Sequence, residues 1–558
     1  MGEHARLVLL AALCILLFFL ELGSLGLTDR DEGSNAQAAR EMVLSGDWVT
    51  PTLNGSPRFA KPAFLYWMIS GAYRVFGISE FTARVPSALF GCGLVLMQYF
   101  FTRRFLGSTT GFRAALMLLL NFEILAIGRM VLTDMVLVFF TTLSIFCFFT
   151  AMWGAGNSKR WYWGFYLGMA FGVLTKGPVG LLVPLLAIGS YLLLTRPWKT
   201  GHSVLQECHP LAGTFLLIAI AAPWYGAMFV LHGGGYGQSV KGDTVTRFFS
   251  AIGGHGGTIF FYLPVLFLGF FPWSGFLPSA LYDALRGIRD RPAEEPRRAL
   301  IVLSALWIIA VIIFFTLSST RLPHYIAPLF PAASLLVAAY WDTLLADQES
   351  RASKVAVGLT MLVGGCLGFA FIGLDWAYER FNAQIALEFP IATQIGPGWA
   401  PMAIGFLILA GLGFFAYAAM ENRSALSFGI LSALMLGVVL LIITVALPRF
   451  NRYFIAPPQE LAAIAGLNLS PQETLITYGR PKPSLLFYAK RDCSAAARCI
   501  EVIKTGEETE LLPLLQRPGQ IIILTQERLR EKLPLPAANY PIVLSRYGYI
   551  LLAKNPVF

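Results

Sequence analysis

Two adjacent carboxylates, Asp31 and Glu32, open the first polar stretch of the chain, "TDRDEGSNAQAAREM" over residues 28–42, directly after an apolar run from Leu7 to Leu27. An acid so placed can take a proton from an acceptor hydroxyl, provided it lies within hydrogen-bond reach. Polar side chains recur at the edges of apolar segments further along: Arg58, Lys61 before Pro62, Asp134 after Thr133, Lys176 before Gly177-Pro178, Arg247, Arg321, His324 and Tyr325. Basic groups of this kind can hold a phosphate or pyrophosphate and stabilise its charge as a bond breaks.

Each residue also has a plain structural reading. Asp31 and Glu32 fit a juxtamembrane turn, and Asp134 fits a helix cap. Lys61 and Lys176 fit interfacial lysines that snorkel. Arg247 fits a solvated loop charge, and His324 and Tyr325 an interfacial polar belt. Their joint occurrence weighs more than any one of them, because a charge inside a bilayer is costly and must face protein or a wet cavity.

The elements that position these groups follow from composition. The chain has 558 residues, 56% hydrophobic and 13% charged. That is too apolar for one water-soluble core and suits many lipid-facing helices. Its formal charge of +10 is spread over short loops, which points to membrane orientation rather than to a nucleic-acid partner. Spans of about 17 to 25 residues are expected near 7–27, 84–102, 110–128, 132–153, 161–176, 177–195, 211–231, 259–283, 299–317, 323–345, 354–375, 399–418 and 427–447. That makes about thirteen. At Lys176-Gly177-Pro178 one broken helix could replace two. The first run lacks a small-residue cleavage site and reads as a retained helix.

Alternate connections collect the basic residues: Arg103, Arg104 and Arg113; Lys159 and Arg160; Arg196 and Lys199; Arg286, Arg289, Arg291, Arg297 and Arg298; Arg351 and Lys354; and Arg423. This set is expected to face the cytoplasm. The other set, including the long segments 28–83 and 232–258, then faces outward and carries the polar residues named above. Residues 33–45 and 63–77 are expected to form amphipathic helices along the membrane surface. An odd number of spans also places the tail outside. Segments "ETLITYG", "QIIILT" and "YGYILLAKN" read as strands, so 1–449 is expected to be a membrane domain and 450–558 a small soluble α/β domain. Cys493 and Cys499 share the tail and could form a disulfide or remain two thiols; no cysteine spacing suggests a metal site.

The chain resembles the bacterial protein-O-mannosyltransferase superfamily, integral-membrane glycosyltransferases of the GT-C class, and in particular the branch of lipid A 4-amino-4-deoxy-L-arabinose transferase. The resemblance rests on "RDEGSNAQAAREMVLSGDWVTPTLNGSPRFAKPAFLYW", "GRMVLTDMVLVFF", "GVLTKGPVGLLVP", "DTVTRFF" and "STRLPHYIAPLFPAA", in this order over most of the membrane region. It implies a GT-C fold and inverting transfer of a hexosyl or pentosyl group from a polyprenyl phosphate such as undecaprenyl phosphate. The implied acceptor is lipid A, another glycolipid, a glycan or a protein at the outer face of the bacterial inner membrane. It implies no cofactor and no metal, and a monomer whose partners are donor, acceptor and membrane lipids.

By the same resemblance, Asp31 matches the catalytic base, Glu32 completes its pair, and Asp134 is a second acid lining the cavity. Lys61 and Arg247 match donor-phosphate positions, joined by Tyr325 and Lys176. Arg58, Arg321 and His324 are candidate substrate contacts. Two positions depart from the pattern: Ala60 stands where aminoarabinose transferases usually have Glu, and Ser34 where they tend to have Arg. A transporter or lipid flippase is the rival class; it predicts polar breaks near mid-membrane and repeat symmetry, and the sequence shows neither. A non-catalytic scaffold binding a partner through its tail is a third.

Overall fold

The computed structural model describes the chain except residues 1, 30, 156–157, 196–203, 251–255, 291–294, 347–349, 493–497 and 556–558. Arg196, Lys199, Arg291 and Cys493 therefore lie outside the described residues, whereas Cys499 is buried and disulfide-bonded.

Helix α1 (Glu3–Phe19) ends well before the apolar run does. The remaining residues turn back so that the carbonyls of Leu22, Leu25 and Gly26 meet a single guanidinium, that of Arg84. Helix α2 (Asp31–Ser45), a short antiparallel hairpin of β1 (Thr52–Leu53) and β2 (Ser56–Pro57), and helix α3 (Phe64–Phe76) follow. The sequence expects α2 to lie along the membrane surface, but residues Glu32 to Met42 are all buried. Its polar groups tolerate burial because they are answered within the fold: Gln37 donates to Glu41 at 2.8 Å, and Asn35 to the Val131 carbonyl at 2.9 Å.

Helices α4 (Glu80–Leu106), α5 (Ser108–Leu119), α6 (Phe122–Gly128), α7 (Thr133–Trp153), α8 (Trp161–Lys176) and α9 (Val179–Thr195) form the first part of the membrane bundle. Helices α5 and α6 meet at 63°. Helix α7 lies deepest in the bundle, so Asp134 in its first turn points into protein. Helices α8 and α9 are separate elements, divided where Gly177 takes φ +68°. They approach so closely that a Cβ on Gly180 would fall 2.1 Å from the Gly172 carbonyl carbon.

Among the described residues, eight helices are long and apolar enough to cross a membrane, or ten if each of two bent pairs is one span. Two boundaries differ from the sequence reading. The helix Pro210–Lys241 does not end at 231: it kinks at Gly233, whose φ of 52° and ψ of −130° suit glycine, and runs on to Arg247–Phe249. Of the segment expected as a loop over 232–258, residues 232–249 are thus helical. Likewise no break falls at 449/450. The helix from Ser424 continues to Leu467 through wide turns at 442–446 and 451–455, which accommodate the missing amide donors of Pro448, Pro457 and Pro458.

The tail folds into a five-stranded sheet in the order β4-β3-β5-β7-β6. Strands β3 (Thr474–Tyr478), β4 (Glu501–Ile503) and β5 (Ile521–Gln526) are parallel, while β6 (Ile542–Arg546) and β7 (Tyr549–Ala553) are antiparallel to their neighbours. Apolar side chains cover both faces, Leu461, Leu485 and Leu486 on one and Leu511, Leu514 and Leu529 on the other. This unit docks on the segment before and within α2. The Ser484 amide donates to Asp29 at 3.2 Å, the Leu27 amide to the Tyr488 hydroxyl at 2.9 Å, and Arg40 to the Arg491 carbonyl at 3.2 Å.

Candidate active site

The two acids of the opening pair point to different surroundings, because successive side chains on a helix diverge by about 100°. Asp31 is exposed and has no hydrogen-bond partner among the described residues. Glu32 is buried, and Arg84 binds it through both carboxylate oxygens at 2.8 and 3.1 Å. The amides of Thr28 and Val131 donate to the same carboxylate at 2.8 and 3.1 Å. Burial opposes ionisation of Glu32, but the Arg84 charge and these hydrogen bonds outweigh it and hold the carboxyl below its usual range. With its acceptor sites engaged, Glu32 has a structural role: it ties α2 to α4 and to the entrance of α7. Arg84, its partner, was not identified from the sequence. An arginine beginning an apolar helix carried a signal, but nothing local linked it to Glu32.

A second cluster forms around Asp134. Lys176 Nζ lies 2.5 Å from Asp134 Oδ1, and His324 Nε2 lies 3.8 Å from Asp134 Oδ2. The same ammonium stands 4.7 Å from the centre of the Tyr325 ring, a cation–π distance. The end of α8, the start of α7 and the turn over Pro323–Leu329 therefore meet here. Tyr325 is buried among Phe315 and His324.

Lys61, between β2 and α3, joins this cluster to α2. Desolvation lowers its ammonium pKa to about 8, helped by repulsion from Lys176 and Arg247 and opposed by Asp31 and Asp134. These four charges thus act on one side chain from four distant parts of the sequence. Lys61 makes no hydrogen bond among the described residues. Arg247 pairs with Asp243 at 3.3 Å, while its Nε is buried without a hydrogen-bond partner among the described residues. Both cations keep donor capacity for an anion.

Arg58 and Arg321 sit at the margins. Arg58 donates to the Tyr66 hydroxyl at 3.2 Å and approaches Asn35 at 3.5 Å. It also lines a cavity of about 380 Å³ with Phe59, Ala60, Ser239 and Asp243, and so faces the Arg247 side of the site. Arg321 donates to the carbonyls of Gly257 and of Thr316, the latter at 2.9 Å. Those bonds tie Arg321 to the end of the helix Pro296–Leu317 and to the segment at Gly257, and among the described residues no contact joins Arg321 to the Asp134 cluster.

A multi-pass helical bundle that gathers acids and cations from distant segments has the make-up of a polytopic membrane protein with a polar site, and comparison with known proteins gives its class. Residues 7–236 match the family model described as dolichyl-phosphate-mannose-protein mannosyltransferase. The undecaprenyl phosphate-α-4-amino-4-deoxy-L-arabinose arabinosyl transferase 2 of Pseudomonas fluorescens is 32% identical over 445 residues, 74% of this chain and 76% of that one. The corresponding transferase of Yersinia enterocolitica is 29% identical over 406 residues, 71% of each. In fold, the chain is similar to the crystal structure of ArnT from Cupriavidus metallidurans bound to undecaprenyl phosphate, with a TM-score of 0.77 and 21% identity over 99% of this chain and 98% of that one. The chain belongs to the family of membrane glycosyltransferases that contains these arabinosyl transferases.

Proposed function

We propose that this protein transfers a sugar, hexosyl or pentosyl, from a polyprenyl-phosphate carrier to an acceptor at the outer face of the bacterial inner membrane. The observation that carries this reading is the meeting of Asp134, Lys176, His324 and Tyr325 from three distant segments, with Lys176 2.5 Å from Asp134 and 4.7 Å from the Tyr325 ring centre, beside which Lys61 lies close enough to feel the charges of Lys176, Arg247, Asp31 and Asp134. A phosphate on a lipid tail is the anion that a cationic pocket at a membrane surface suits, and ArnT from Cupriavidus metallidurans, the structural neighbour, binds such a ligand, undecaprenyl phosphate.

In this reading Lys61 and the unpartnered edge of Arg247 bind the carrier phosphate. Asp134 holds Lys176 in place at 2.5 Å, and Lys176 and Tyr325 complete the phosphate side. The acceptor hydroxyl gives its proton to Asp31, attacks the anomeric carbon in line, and expels the lipid phosphate with inversion. The cations stabilise the charge that builds on the departing oxygen. If the acceptor nucleophile is itself a phosphate, it needs no base, and Asp31 orients it. His324 and Arg58 border the sugar or acceptor, whereas Arg321 serves the loops. Glu32 fixes α2 and does not react.

The same reading places about thirteen spans in the membrane, with the site, the tail domain and segments 28–83 and 232–258 on the periplasmic side and a monomeric catalytic unit. Ala60 and Ser34, where the aminoarabinose branch favours Glu and Arg, leave a sugar or acceptor other than aminoarabinose and lipid A open to this chain. The test is Asp31→Asn in protein reconstituted with polyprenyl-phosphate-linked sugar. Transfer is lost while folding and donor binding persist; a fully active Asp31→Asn enzyme overturns the base assignment. Mass analysis of envelope lipids and glycans with and without the protein then identifies the acceptor, through the sugar that disappears.

A further inference from the structure

The tail domain carries a second cationic cleft, whose lining does not include Lys61. Strand β3 lies between its parallel neighbours β4 and β5. The chain leaves β3 for β4 on one side, then crosses to β5 on the other. In open parallel sheets a crevice opens where the chain direction reverses in this way, at the carboxyl ends of the strands. Here that crevice is a cavity of about 420 Å³. Arg480 and Lys482 reach it from the end of β3, and Arg528 and Lys532 from the end of β5. Glu388, from the membrane domain, is the acid that lines the cavity among the described residues, and Asp29 and Glu508 stand behind Lys482 and Lys532.

Lys482 is engaged by the Tyr549 hydroxyl at 3.2 Å and by Asp29, whereas the other three cations are only partly engaged. Arg480 spends one donor on Glu388 at 2.6 Å. Arg528 donates to the Leu387 carbonyl at 2.6 Å and to Gln526 at 2.8 Å. Lys532 is exposed. The opposite wall follows the helix Leu374–Ile385, which exposes Trp376 and Phe381, with Leu387 exposed just beyond; such a helix suits a membrane surface. The other end of the cleft touches the segment that precedes α2. Lys482 Nζ lies 3.7 Å from Asp29, two residues before Asp31, and the Ser484 amide bonds the same carboxylate.

We infer that this cleft binds a phosphate-bearing headgroup of a membrane lipid and presents that lipid to α2. The inference deepens the transferase reading, on which it rests, by giving an anionic acceptor a place. Guanidinium groups pair with phosphate through parallel hydrogen bonds, and the exposed apolar helix lets the lipid's chains remain in the bilayer.

Pyrophosphate binding to the full-length protein in detergent, measured by calorimetry without turnover, tests it. Two classes of site are expected, one removed by Lys61→Gln/Arg247→Gln and the other by Arg480→Gln/Arg528→Gln, each weakened about tenfold or more. Unchanged binding in Arg480→Gln/Arg528→Gln overturns the cleft and leaves the donor site standing; unchanged binding in Lys61→Gln/Arg247→Gln strikes the donor reading instead. Should the double variant fail to fold, Lys532→Gln, at an exposed position outside the docking seam, must still weaken the second class, and equal affinity rejects the proposal. Competition by phosphatidylglycerol vesicles, but not by pure phosphatidylcholine vesicles, assigns the cleft to bulk anionic lipid. Pyrophosphate binding that resists those vesicles assigns it to a phosphorylated acceptor.

Discussion

Arg84 binds both oxygens of Glu32 at 2.8 and 3.1 Å, and its remaining donors reach the carbonyls of Leu22, Leu25 and Gly26. The guanidinium is thereby fully satisfied, and one buried ion pair joins the end of the first span to α2 and α4. Removing one partner strands the other charge in the interior, at a cost of about 3–5 kcal/mol. Glu32→Ala is therefore expected to lower the thermal-unfolding midpoint sharply in detergent, whereas Asp31→Asn leaves it unchanged. Because Glu32 titrates below its usual range when folded, its contribution to stability is present at neutral pH and lost as pH falls through that lowered value.

Lys61 gives the site a pH signature. Its pKa is depressed to about 8, so it carries its charge below that pH and loses it as pH rises, well before an exposed lysine would. On the alkaline side kcat/KM for the donor is expected to fall by roughly tenfold per pH step above this value. The limb should be absent or weaker in kcat, since bound phosphate holds the proton on. Lys61→Arg moves the limb out of range, and an unchanged alkaline limb in that variant excludes Lys61 as its origin.

The contact between Lys176 and Asp134 at 2.5 Å predicts strong coupling. Lys176→Met leaves the Asp134 carboxylate with His324 and the more distant charge of Lys61, and Asp134→Asn releases the ammonium. A double-mutant cycle on unfolding midpoints or donor affinity is expected to return an interaction of about 1–3 kcal/mol. The double variant should be less damaged than the two single losses added together. Strict additivity would show that the two side chains act independently.

Gly33 measures how tightly the tail holds α2. A Cβ at this position would fall 2.7 Å from both the Cα and the amide nitrogen of Ser484, and backbone atoms cannot swing aside as a side chain can. Gly33→Ala is expected to cost about 1–3 kcal/mol by overpacking. It should also speed proteolytic release of the tail and lower transfer. Wild-type protease resistance in this variant would show that the seam yields without loss.

Much of the bundle could be read from the sequence because a lipid-facing helix must be apolar over its whole crossing, and that requirement writes itself into local composition. The residues around Asp134 could be named for a related reason: charges are so costly beside a bilayer that each one at a span edge stands out. Less visible were the ends of elements. The helix from Pro210 turns at Gly233 instead of stopping, and the one from Ser424 runs into the tail, because a helix needs only continuous backbone bonds and not continuous apolarity.

The amino-acid sequence by itself determined a membrane chain with its acids and cations at span edges, since hydropathy is a local property that each segment carries alone. Only the tertiary structure decided that Asp31 stays open while Glu32 is buried, that Lys176 meets Asp134, and that four cations gather at the ends of β3 and β5. Those outcomes depend on partners such as Arg84, 52 residues from Glu32, and the interaction of two charges follows their separation in space, which spacing along the chain does not encode.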